Sequence, residues 1–154
     1  MTAHEPDELA RILAQLDLDG PVTDEALEQL LSYVSATYGT ALPDDYLAFL
    51  RRADGADGEL ENGAPVVFWK AEGLPRINED SETEQWAPGM FIIGSDAGDA
   101  LYGIDLRDDA PPERYVEMFD APDWDDVLWR GRSFLDLLRH LGRPPDSPTL
   151  SGIG

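Results

Sequence analysis

The sequence predicts a single α+β domain, with a twisted, mainly antiparallel sheet packed by N-terminal helices and a C-terminal helix. Apolar residues recur at helical spacing in the first third of the chain and again near its end. Between these regions, short apolar runs alternate with glycine, proline and aspartate, a pattern typical of strands and turns. Because strands and helices do not alternate regularly, the pattern favours an α+β domain over a doubly wound fold. The 154 residues, 42% of them apolar, suffice to bury a core without disulfides.

Helices are predicted at four places, each marked by a capping residue at its start or by glycine or proline at its end. Acidic residues in the first turn of the first helix suit the positive end of its dipole. Pro43 is expected at the first position of the third helix. The predicted helices are residues 6–18 before Gly20 and Pro21, residues 23–39 with Thr23 as N-cap, residues 43–55, and a final helix that begins at the cap Ser133 and ends at Gly142.

Strands are predicted in the middle of the chain. Met90–Gly94 is apolar almost throughout and indicates a central strand buried on both faces, whereas Leu101–Leu106 alternates and indicates one wetter face. The short segment 94–99 between them has the composition of a hairpin turn. We expect the domain to span residues 1–142 and residues 143–154, rich in proline, serine and glycine, to form a flexible tail. The predicted strands are Pro65–Trp69, Met90–Gly94, Leu101–Leu106 and Tyr115–Phe119.

The charge of the chain is its strongest functional signal. Thirty-two acidic residues against 11 basic ones give a formal net charge of −21. Such a surface repels nucleic acid and anionic membranes and steers basic proteins toward it, so the expected partner is a basic protein. Solubility alone is the alternative explanation. No apolar run approaches the ~18 residues that a bilayer requires, and residues 1–7 lack the features of a signal peptide, so a cytoplasmic protein is expected.

Catalytic and metal-binding patterns are weak in this sequence. The chain has no cysteine and only two histidines, His4 near the terminus and His140 in the last turn of the final helix. Residues 94–98 do not match the serine-nucleophile elbow, and the aspartate-rich stretches 17–21 and 54–59 miss the ligand spacing of an EF-hand loop. Neither a phosphate-binding glycine loop nor a dinucleotide fingerprint is present. We therefore expect no enzyme activity, no cofactor and no metal.

Three motifs in order resemble a known superfamily. Residues 42–50 (Leu-Pro-Asp-Asp-Tyr-Leu-Ala-Phe-Leu), followed by Asp54-Gly55, resemble the LP-x-x-Y-x-x-F-L…N-G signature of the SMI1/KNR4 (SUKH) superfamily. Residues 92–106 are similar to its I-G-x-D-G-G-G-D-x-Y-x-x-D hairpin, and residues 133–138 to its closing S-F-x-x-F-L helix. Two positions depart from the pattern: Asp54 stands where asparagine is common, and Ala97 replaces a glycine.

The resemblance implies a non-enzymatic domain and two kinds of role. Many bacterial members resemble immunity proteins that bind and neutralise a cognate toxin domain, often a nuclease or deaminase. The acidic charge favours this role, because a nuclease needs a basic cleft for phosphates. The alternative is a regulatory scaffold linked to cell-wall or envelope assembly, as in fungal members. A third possibility, an acidic DNA mimic or a cryptic hydrolase, stays open. The oligomeric state is not predicted.

Partner contacts are expected in the acidic segments outside the motifs, whereas the motif residues are expected to shape the fold. Tryptophans among the acids favour interface hot spots. The two aspartates after Trp124 suit charge-assisted bonds to arginines of a partner. The candidate partner-binding residues are Asp57, Glu59 and Glu61 after the third helix, Glu79, Asp80, Glu82, Glu84 and Trp86 in a predicted acidic loop, and Trp124, Asp125 and Asp126 before the last helix.

Overall fold

Seven strands form one sheet in the computed structural model, which describes residues 4–119 and 123–142. Every strand pairs antiparallel with the next, so the order in the sheet follows the order in the chain. The predicted α+β fold is confirmed. The strands are β1 Leu16–Leu18, β2 Ala56–Glu59, β3 Pro65–Phe68, β4 Met90–Ser95, β5 Ala100–Asp105, β6 Tyr115–Phe119 and β7 Trp129–Gly131. The helices are α1 His4–Leu13, α2 Asp24–Tyr38, α3 Asp44–Arg52, α4 Leu74–Asp80, α5 Thr83–Trp86 and α6 Phe134–Leu141, with 3-10 turns at Ala71–Gly73 and Trp124–Asp126.

Helix boundaries follow the predicted capping residues. The Thr23 side chain accepts a hydrogen bond of 3.1 Å from the Ala26 amide at the start of α2. Gly39 ends this helix in the left-handed conformation, with φ at 71°. Ser133 caps α6 by accepting from the Asp136 amide at 3.0 Å. Pro43 is the N-cap of α3 with an extended backbone, one residue before the predicted position.

Several predicted elements were wrong in type or extent. The first helix ends at Leu13, and residues 16–18 leave it to form β1, whose pairing with β2 buries Leu16. The predicted acidic loop at 78–85 is instead formed by the end of α4, a two-residue connection and most of α5. The strand at 100–105 has no wet face, because all of its residues are buried except Leu101, which is partly buried. The expectation that the strand at Met90–Gly94 is buried on both faces is confirmed, because every residue of β4 is buried. The predicted tail at 143–154 lies outside the described residues.

One face of the sheet, here called the front face, carries the main core. Helices α1, α2, α3 and α6 pack against it. The ring of Phe134 lies at its centre, with centroids 4.5 Å from Phe49, 5.3 Å from Phe68, 6.0 Å from Tyr46 and 6.1 Å from Tyr115. Two of the superfamily-like motifs supply three of these five rings. These motif residues therefore shape the core, as expected.

Asp45 connects two of the motifs through hydrogen bonds. Its carboxylate accepts from the Tyr115 hydroxyl at 2.5 Å and from the Phe134 amide at 2.7 Å. Burial, together with the nearby Asp45 carboxylate, raises the pKa of Tyr115, so the phenol stays protonated and remains a donor. The start of α3 is thereby held against β6 and the start of α6.

The turn of the β4–β5 hairpin has its left-handed residue at Ala97, with φ at 65°, whereas Gly94 and Gly98 do not adopt a positive φ. Alanine in this conformation is strained by roughly 1–2 kcal/mol. Gly94 is needed for space instead, because a Cβ there would lie 2.4 Å from the Val67 carbonyl oxygen. The Asp96 side chain closes the turn by accepting from the Gly98 and Ala100 amides.

The opposite face of the sheet, here called the back face, is covered over only part of its area. Met90, Ile92, Val116 and Met118 form a small apolar cluster there with Ala87. Trp124 and Val127 pack on this cluster from outside. The half of the back face formed by β1, β2 and β3 contributes no residue to this cluster and is here called the open half.

Candidate protein-binding face

The strand register places carboxylates on the open half of the back face. Asp17 of β1 lies directly opposite Asp57 of β2, and Asp57 lies opposite Val67 of β3. Val67 is in register with Ser95, which is in register with Leu101 and Met118, so all of them share the back face. Glu59, two residues after Asp57, points to the same side. Asp17, Asp57 and Glu59 are exposed.

The pair Asp17 and Asp57 is unfavourable for folding. Like charges directly opposite each other in an antiparallel ladder destabilise the pairing. Among the described residues, neither carboxylate has an ion-pair partner within 4.0 Å. The repulsion is therefore not relieved within the described chain, and a cation from outside would relieve it.

The first predicted group divides between the face and the hairpin loop. Asp57 and Glu59 lie on β2, which the sequence analysis did not predict as a strand. Glu61 is exposed in the β2–β3 turn, where its amide donates to the Gln15 side chain at 2.6 Å. This bond ties the turn to the segment that joins α1 and β1.

The second predicted group lies on helices. Glu79 and Asp80 end α4, and both are exposed. Glu82, in the left-handed conformation with φ at 56°, precedes α5, and its carboxylate accepts from the Trp86 indole at 3.3 Å. Glu84 accepts from the Gly89 amide at 3.1 Å. Trp86 is 57% exposed, the largest exposed fraction among the large apolar side chains of the described residues.

The third predicted group lies over the apolar cluster of the back face. Trp124 is half-buried, and its indole donates to the Pro88 carbonyl at 2.7 Å, which joins this group to the segment after α5. The Arg107 guanidinium carbon lies 3.7 Å from the centre of the Trp124 ring. Asp125 and Asp126 are exposed on the same 3-10 turn. The second and third groups are thus neighbours, and the first lies farther along the sheet.

A buried charge network behind Trp124 was not predicted. Asp105 has no solvent exposure, yet its two oxygens accept from the Arg107 guanidinium at 2.9 and 2.8 Å and from Arg130 at 3.2 Å. Burial by itself would raise the pKa of Asp105, but these hydrogen bonds outweigh it and hold the pKa below its usual value. Asp105 is the last residue of the hairpin motif, and this position is the one feature of the sequence that pointed to Asp105.

The histidine of the last helix also has a specific partner. His140 Nε2 lies 2.6 Å from the Glu117 carboxylate, and its ring stacks on Trp129 with centroids 4.4 Å apart. Gly131 leaves the space for this indole, since a Cβ there would lie 2.2 Å from the Trp129 ring. Trp129 belongs to the front core, unlike Trp86 and Trp124.

Other site types find little support in the described ranges. Within residues 4–119 and 123–142, no three side chains of histidine, aspartate or glutamate are grouped so that they could hold a metal ion. None of the helices in these ranges is long and apolar enough to cross a membrane.

The antiparallel sheet with its helical front, together with the three motifs that build its core, defines a SUKH-type domain. A family model for the SMI1/KNR4 family (SUKH-1) matches residues 21–140, which is most of the chain. The chain therefore belongs to the SMI1/KNR4 family. No curated protein matches it.

Proposed function

We propose that this chain is a cytoplasmic immunity protein: an SMI1/KNR4 domain that binds a basic, nuclease-like toxin domain directly and has no catalytic activity of its own. The observation that carries the proposal is the open half of the back face, where Asp17, Asp57 and Glu59 project together and form no ion pair within 4.0 Å among the described residues. A toxin that cleaves nucleic acid presents a cationic cleft for phosphates. The carboxylates are held in place by the hydrogen-bonded sheet, and their negative charge is complementary to the positive charge of that cleft.

The unfavourable Asp17–Asp57 pair supports a binding role over solubility. Solubility requires acidic residues somewhere on the surface, but it does not require two of them directly opposite each other on neighbouring strands. A site that binds cations benefits from this arrangement, because the partner relieves the repulsion when it binds. The repulsion lowers the free energy of unfolding of the free chain, and binding of a cationic partner offsets that decrease.

The test begins with the full chain immobilised and exposed to nuclease-treated lysate of the source organism. Bound proteins are eluted with stepwise salt and identified by mass spectrometry, and each is then assayed for toxicity and nuclease activity with and without equimolar chain. We expect one basic domain of a larger secreted protein whose activity the chain abolishes. A captured domain that stays active, or a set of envelope proteins without toxicity, would refute the immunity role, and the envelope proteins would favour a scaffold.

A matched pair of variants locates the interface. Asp57→Lys and Glu28→Lys change the net charge equally, but residue 28 lies exposed on α2, away from the back face. We expect Asp57→Lys to weaken capture while it raises the free energy of unfolding by about 0.2–1 kcal/mol, because it converts a repulsive cross-strand pair into an attractive one. Glu28→Lys should leave capture nearly unchanged. Equal losses in both variants would place the interface elsewhere.

A further inference from the structure

A cavity of about 200 Å³ opens beside the carboxylates of the back face. Asp19 and Asp57 line it together with Val67, Trp69 and Lys70. A water molecule occupies about 30 Å³ in the liquid, so the cavity has room for a planar group of several heavy atoms. Trp69 is half-buried and packs against both apolar clusters of the sheet, which fixes the position of its indole.

The lining combines two features that suit one kind of side chain. An aromatic ring and a valine provide apolar surface for a flat, weakly hydrated cation and its hydrocarbon stem. Two carboxylates on neighbouring chain segments provide acceptors for several N–H groups at once. The β1–β2 register extends to Asp19, since its amide donates to the Gly55 carbonyl at 3.3 Å, so Asp19 lies diagonally across from Asp57 on the same face. A guanidinium group suits both features, whereas an ammonium group lacks the planar shape.

The aspartates of the cavity form no ion pair with the described residues. Lys70, the only lysine of the sequence, lines it but forms no ion pair within 4.0 Å with either aspartate in the part of the chain that the structure describes. Its positive charge disfavours a second cation and so weakens binding without occupying the acceptors. The acidic lining therefore remains available to a side chain from outside.

We propose that this cavity is an arginine pocket, which receives one arginine side chain of the basic partner between Trp69 and the carboxylates of Asp19 and Asp57. The proposal deepens the proposed function, on which it depends for the identity of the partner but not for the chemistry of the pocket. Arginine in the pocket would anchor the partner on the open half of the back face and would relieve the Asp17–Asp57 repulsion.

The pocket can be tested without the partner. The ¹⁵N-labelled full chain is titrated with N-acetyl-arginine amide, with the lysine analogue, and with the citrulline analogue, which has the shape of arginine but no charge. We expect arginine to shift the Trp69 indole N–H and the Asp57 and Val67 amides in a saturable manner. Citrulline should produce no such shifts, and lysine should bind more weakly than arginine.

Two variants test the roles of the lining residues, and a third on α2 is the control. Asp57→Asn should weaken arginine binding about fivefold, the size expected for one partly exposed charged contact. Glu28→Gln, which removes the same charge from α2, should leave the affinity unchanged. Lys70→Gln should strengthen binding, because it removes a competing cation.

Two kinds of result would overturn the pocket. Arginine shifts spread over all acidic surfaces without saturation at Trp69 would indicate diffuse charge attraction, and equal binding of lysine or citrulline would remove the guanidinium specificity. Either result leaves the toxin assay unaffected. Conversely, a specific arginine pocket in a chain that inhibits no toxin would refute the immunity role and retain the pocket.

Discussion

Asp105 shows how a single residue couples charge to stability. Its carboxylate has no solvent exposure and accepts hydrogen bonds from Arg107 and Arg130. We expect Asp105→Asn to lower the free energy of unfolding by about 2–4 kcal/mol, because it leaves two arginines without their shared counter-ion. Urea denaturation measures the change, and Glu28→Gln, which removes an exposed charge, should stay within about 0.5 kcal/mol of the parent chain.

The pH dependence of that difference follows from the direction of the pKa shift. The pKa of Asp105 is lower in the folded chain than the usual value of about 3.9. Its contribution is therefore complete above that value and is lost as the pH falls through the folded pKa. The stability gap between the parent chain and Asp105→Asn should stay constant from pH 8 to about pH 5 and narrow below pH 4. A gap that narrows already near pH 6 would contradict this account.

At the residue scale, the sequence predicts hydrogen bonds between neighbouring residues better than it predicts bonds between residues far apart in the chain. Caps such as Thr23 and Ser133 were predicted correctly because a cap bonds within its own first turn. The network of Asp105 and Arg130 joins residues 25 positions apart, and no local pattern encodes such a bond. Ala97 shows that a local conformation can persist without its usual residue. The family pattern has glycine at this position, and Ala97 adopts the left-handed backbone conformation although it is not glycine.

At the element scale, the side chain of Asn78 in α4 makes hydrogen bonds to β4 at a residue that the pairing with β3 does not reach. Pairing between β3 and β4 covers only Ser95 and Gly94 of β4, so Ile92 lacks a β3 partner. The buried Asn78 amide group fills this gap: its oxygen accepts from the Ile92 amide at 2.7 Å, and its nitrogen donates to the Ile92 carbonyl at 3.1 Å. The side chain of Asn78 thereby joins α4 to backbone groups of β4, in the middle of the sheet.

Substitution of Asn78 should therefore release α4 from this part of β4. We expect Asn78→Ala to cost about 2–4 kcal/mol, because it leaves a buried donor and a buried acceptor of Ile92 unpaired. Asn78→Asp retains the acceptor but sets an oxygen against the Ile92 carbonyl, so it should also destabilise the fold. Hydrogen exchange should accelerate at the Ile92 amide in Asn78→Ala, with the exposed Glu79→Ala as control. Unchanged exchange at Ile92 would show that α4 is held by other contacts.

The elements that the sequence analysis missed are those whose structure depends on tertiary pairing. Strand β2 consists of Ala-Asp-Gly-Glu, residues that are poor strand formers, and it exists because β1 and β3 pair with it on both sides. Asn78 appears as a surface residue in the sequence, although it is buried. The candidate acids Asp57 and Glu59 were found from charge, but their common face required the register.

At the scale of the whole molecule, the net charge of −21 opposes the compact state. Residues such as Asp17 and Asp57 repel each other at short range, and the remaining surface acids add to this repulsion at long range. Salt shortens the screening length from about 30 Å at 10 mM to about 8 Å at 150 mM. Screening should therefore stabilise this chain, in contrast to a protein whose exposed charges are mostly paired.

The expected result is a melting temperature that rises between 10 and 300 mM NaCl at pH 7, by roughly 3 °C for each 1 kcal/mol of repulsion relieved. Thermal unfolding followed by tryptophan fluorescence measures it. KCl at equal ionic strength should give the same rise, because screening depends on ionic strength and not on the cation. Asp57→Lys should show a smaller rise than the parent chain, since part of its repulsion is already removed. A melting temperature that stays flat or falls with salt would mean that favourable ion pairs outweigh the repulsion, and the argument that the acids are kept for a partner would lose its energetic basis.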